Sequence, residues 1–67
     1  MKRIKFNRTI YSDNSIKSAI HAFSELAIVS VKLKSDYIIL TFWKCKYTED
    51  QTVKEFENYV IGIENSK

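Results

Sequence analysis

Proline is absent from this sequence, and glycine, cysteine, histidine and tryptophan each occur once. A single thiol, Cys45, excludes an intramolecular disulfide, and with His21 as the only imidazole the four clustered ligands of a zinc site are missing. One glycine cannot build a glycine-rich phosphate loop, so nucleotide chemistry of that kind is excluded as well. The turns must instead rely on Asn, Asp and Ser. Long apolar runs are also lacking. The longest, Tyr37 to Trp43, is interrupted by Thr41 and is far too short to span a bilayer. Met1-Lys2-Arg3 is basic, but a charged, strand-like stretch follows where a signal peptide would carry its apolar segment. A lone thiol without an export signal leads us to expect a cytoplasmic protein with no membrane association.

What is present suits one small folded domain covering residues 1–67: 45% apolar and 28% charged residues, with no linker, repeat or low-complexity segment. A chain of this length buries only about 60% of the surface its unfolded form exposes, so self-association or a heteromeric complex is expected to contribute to stability. Charge is uneven. Residues 1–46 hold nine Lys or Arg against three acids, and residues 47–67 hold two against five. That split predicts a basic sheet and an acidic last helix, and hence an anionic partner or a head-to-tail contact between copies.

Residues 3–11 read as a strand with Ile4, Phe6 and Ile10 on one face and Lys5, Asn7, Thr9 and Tyr11 on the other; Arg8 breaks the pattern. Residues 13–25 read as a helix capped by Ser12, with Ile16, Ala19, Ile20 and Phe23 in one stripe. In residues 27–34, Val29, Val31 and Leu33 alternate with Ser30, Lys32 and Lys34, and Lys34-Ser35-Asp36 makes a turn. Residues 37–46 are apolar on both faces: Ile38, Leu40 and Phe42 on one, Tyr37, Ile39, Thr41, Trp43 and Cys45 on the other. A second helix follows, with a capping box of Thr48 and Gln51 and a stripe of Val53, Phe56, Val60 and Ile63. Gly62 either ends this helix or lies within it.

The expected fold is therefore α+β, in the order β-α-β-β-α. The third strand is placed in the centre because it is apolar on both faces, with a second-strand-central order as the main rival, and both helices cover one side of the three-stranded sheet. This is a ferredoxin-like arrangement that stops before its fourth strand. The other side of the sheet is left open, and strand parity furnishes it with lysines, aromatics and aliphatics. The candidate partner-binding residues are Lys5, Tyr11, Lys32, Lys34, Tyr37, Ile39 and Trp43. Such a patch marks an interaction site. Its possible uses are packing against a protein or another copy, holding an extended peptide at a strand edge, or stacking single-stranded nucleic acid. No RNP1-like pattern supports the last. No enzyme is expected and no cofactor or metal is implied. His21 stands alone on a polar helix face, no base is placed to activate Cys45, and the acidic pairs Glu49/Asp50 and Glu55/Glu57 read as solvated charge.

The stretch IYSDNSIKSAIHAFSELAIVSVKLKSDYIILTF, followed by an acid-started helix containing EFENYV, resembles the HxsD family of small accessory proteins from His-Xaa-Ser peptide-modification systems. The likeness runs from Ile10 to Tyr59 and lies in helix and strand patterning. It implies a non-catalytic subunit that helps a radical-SAM maturase hold its ribosomally made precursor peptide, and it carries over no catalytic residue.

Overall fold

A computed structural model describes residues 1–66, which form β1 (Lys2–Asn7), α1 (Asp13–Ala22), β2 (Ala27–Leu33), β3 (Tyr37–Cys45) and α2 (Glu49–Asn65). The strands make one antiparallel sheet in the order β1-β3-β2. The doubly apolar third strand is central, as expected, because only a middle strand buries both of its edges. One face of the sheet and both helices enclose a single core of Phe6, Ile16, Ala19, Phe23, Ala27, Ile38, Leu40, Phe42, Val53, Phe56 and Val60. Phe56 of α2 is its centre. Its ring meets Phe42 at 5.2 Å and Phe23 at 5.3 Å edge-on, and Phe6 at 6.1 Å. Edge-to-face pairs at these separations add to the burial of the rings.

The first strand is shorter than its parity suggested. It ends at Asn7, whose carbonyl accepts from the N–H groups of Ile10 and Tyr11 and whose side chain accepts from the Thr9 N–H and hydroxyl. Asn side chains compete in this way with ladder hydrogen bonds. Arg8 then anchors the turn. Its guanidinium donates to Asp13 at 2.9 Å and to the Lys34 carbonyl at 2.6 Å, while its N–H donates to Asp36. Tyr11 is thereby turned inward, edge-on to Phe6 at 5.1 Å.

Ser12 caps α1 as expected, accepting from the Ser15 N–H. Its own N–H and hydroxyl donate to Glu64 at 2.8 and 2.9 Å, which ties the start of α1 to the end of α2. α1 closes at Ala22 rather than residue 25, because the Leu26 and Ala27 N–H groups turn back to the Phe23 carbonyl. At the start of α2 the expected capping box does not form. Thr48 makes no side-chain cap bond, and Thr52 instead donates its hydroxyl to the Thr48 carbonyl. The helix runs on through Gly62 to Asn65.

Two departures matter for function. Between Ile28 and Val29 the β2 register steps from Lys44 to Phe42 on β3, so Trp43 is the extra residue of a β-bulge. Side-chain parity inverts beyond it: Cys45 packs toward the core, and Lys44 turns to the open face beside Ile28. Secondly, Val31 and Leu33 have the parity of the helix side yet remain 48% and 61% exposed. α2 lies over β1 and β3, and neither helix covers the far half of β2.

Candidate partner-binding face

None of the three strands contains an acidic residue, so every charge that the sheet contributes is positive. On the uncovered face the registers set residues in rows across β1, β3 and β2. Lys5, Ile39 and Lys32 form one row, and Arg3, Thr41 and Ser30 the next. Asn7 stands opposite Tyr37 at one end. At the other end the bulge presents Trp43, with Lys44 paired to Ile28. An apolar strip down β3 and onto β2 is thus bordered by cations on both sides.

The large side chains of this strip are held in place. The Trp43 indole N–H donates to the Ser30 hydroxyl at 2.5 Å, drawing the ring over β2. The Lys5 ammonium lies 5.5 Å from the centre of the Tyr37 ring, a cation–π distance. Even so, Trp43 is 54% exposed, Tyr37 43% and Ile28 59%. Positioned but unburied aromatics suit docking, because little rotamer freedom is left to lose on binding.

Of the residues expected on this face, Lys5, Lys32, Tyr37, Ile39 and Trp43 come together. Lys34 sits in the β2–β3 hairpin turn, exposed, with its N–H donating to the Tyr37 carbonyl at 2.8 Å. Tyr11 is a correction. The Asn7 turn carries it off the strand and into contact with the core, so it and Thr9 leave the face. Cys45 leaves it through the bulge. Sequence reasoning missed Lys44, because a bulge in a strand apolar on both faces leaves no break in the pattern. Arg3 was legible from its parity with Lys5.

The electrostatics sharpen the contrast between the two sides. On the helix side, the Lys2 ammonium lies 3.0 Å from the Asp50 carboxylate, and the Met1 amine 2.9 Å from Glu49. The hydrogen bond that the Lys2 ammonium donates to the Asp50 carboxylate, then the charge of that carboxylate, raise the Lys2 pKa above its ordinary value. The first acids of α2 are thus matched by Met1 and Lys2, whereas among the described residues Lys5 and Lys32 have no carboxylate within ion-pair distance. Among the described residues, no three His, Cys, Asp or Glu side chains gather as metal ligands would. Among the same residues no helix is long and apolar enough to cross a membrane. His21 is exposed in the last turn of α1. Chemically, the face can bury apolar side chains and pair with anionic ones. No family model, curated protein or solved structure matches this chain.

Proposed function

We propose that this protein is a non-catalytic adaptor whose open sheet face docks a protein or peptide partner of acidic character. The observation that carries the reading is a preorganised strip of Trp43, Ile39, Tyr37 and Ile28 bordered by Arg3, Lys5, Lys32 and Lys44, with no strand carboxylate. Aromatic anchors inside a polar rim are the usual anatomy of a binding hot spot. A small domain also gains stability from a partner that binds only its folded form. Following the resemblance to accessory proteins of His-Xaa-Ser systems, the partner is a radical-SAM maturase or its precursor peptide, met in the cytoplasm.

Single-stranded nucleic acid is the alternative ligand of a basic, aromatic sheet. With Tyr11 packed toward the core, two aromatics, Tyr37 and Trp43, remain for stacking, and the indole N–H of Trp43 is already used by Ser30. The protein-docking reading therefore has the stronger support.

Affinity capture from nuclease-treated native lysate, with wild type beside Trp43→Ala/Lys32→Glu, tests it. A protein or peptide that is retained by wild type, survives nuclease and is lost from the variant supports the proposal. Retention by both proteins, or capture of RNA alone, overturns it.

A further inference from the structure

The sheet order leaves β2 at an edge, paired on one side only. The Lys34 N–H donates to the Tyr37 carbonyl, and antiparallel alternation from that pair directs the Lys32 and Ser30 N–H groups toward β3. The Val31 and Leu33 N–H groups therefore point to the vacant edge. Beside that edge, on the helix side, lies a largely apolar groove of about 240 Å³ lined by Ile16, Ile20, Val31, Leu33 and Ile38, with Lys17 and the Arg8-paired Asp13 completing its wall. The other edge strand, β1, has α2 packed against it on the helix side.

We infer that β2 accepts an extended peptide as an added antiparallel or parallel strand, its side chains alternating between apolar and acidic. Strand geometry sends successive side chains to opposite faces. One row of the added strand enters the groove beside Val31 and Leu33, where apolar groups cover exposed aliphatic surface. The other row lies over the open face beside Lys32, where carboxylates meet its exposed ammonium group. The same lysines argue against a second copy of β2 as the occupant. Self-pairing would bring like charges together, and edge lysines are a recognised barrier to that. Main-chain hydrogen bonds supply affinity in such strand addition, and the alternating side chains supply selection. The inference rests on the edge and the groove and shares only Lys32 with the open-face reading.

The test uses the full chain, isotopically labelled, titrated with a capped synthetic peptide alternating valine and glutamate. Expected are chemical-shift changes and slowed amide exchange at Val31 and Leu33. Loss of binding is expected when the peptide's edge amides are N-methylated, and at least about tenfold weaker binding with Leu33→Asp. Leu33 is largely exposed, so this variant keeps its fold. Lys54→Ala, an exposed lysine of α2, which lies over β1 and β3, should leave the affinity within about twofold, which separates this site from general charge attraction. Equal binding of a valine–lysine peptide, indifference to N-methylation, or shifts confined to β1 would overturn the inference. Protection of Val31 and Leu33 that rises with protein concentration, without peptide, would overturn it in favour of self-pairing.

Discussion

Phe56→Ala is the perturbation that most severely probes how this chain holds together. The ring is wholly buried and stacks edge-on or tilted against Phe6, Phe23 and Phe42, so it joins β1, β3 and α1 to α2. Removing a buried Phe side chain costs about 3–5 kcal/mol, because the lost transfer energy is compounded by the cavity left behind. A domain of this length has a total stability of about 3–10 kcal/mol at 0.05–0.15 kcal/mol per residue. The loss therefore takes about a third or more of that total, and the urea midpoint should fall steeply. Phe56→Leu, which keeps most of the volume, should cost less than about 1.5 kcal/mol. Tyr59→Ala is the control on the same helix, since Tyr59 is part-exposed and meets Phe23 alone among the rings. Urea unfolding followed by far-ultraviolet circular dichroism measures all three. A Phe56→Ala midpoint equivalent to a loss under about 1 kcal/mol, or a Tyr59→Ala loss as large as that of Phe56→Ala, would refute the aromatic keystone.

Other expectations follow from local geometry. Gly62 lies inside α2 with open space where a Cβ would stand, so Gly62→Ala should raise stability by about 0.5–1 kcal/mol in the same urea assay. Ser12→Ala removes both the α1 cap and a hydroxyl donor to Glu64, and should lower stability by about 1–2 kcal/mol. The folded-state pKa of Lys2 is raised by Asp50, so that pair contributes stability below pH 10.5, lost as pH rises through the raised value. Asp50→Asn should accordingly be slightly less stable than wild type at neutral pH and low salt. The two should converge in alkaline thermal melts above the lysine titration.

Most of the architecture was legible because the strongest signals here are periodic. The doubly apolar stretch 37–46 announced a central strand, and the Ile16–Phe23 and Val53–Val60 stripes announced two core-facing helices. The misreadings fall where a short-range polar contact overrides parity. Asn7 and Arg8 end β1 early and carry Tyr11 inward. The Trp43 bulge exchanges Cys45 for Lys44 on the open face. Val31 and Leu33 show a different limit: alternation reveals which way a side chain points, but whether a helix reaches it depends on tertiary placement. The groove beside β2 was invisible for the same reason.

Trp43 is the only tryptophan of the chain and stands at the bulge end of the proposed docking strip, more than half exposed, so it reports directly on the central claim. The decisive measurement is fluorine NMR of chain labelled with fluorotryptophan, recorded with and without the captured partner. We predict that the Trp43 resonance shifts and loses its solvent-isotope effect when the complex forms. A complex that forms while the resonance and its solvent access stay unchanged would contradict the open face as the binding surface.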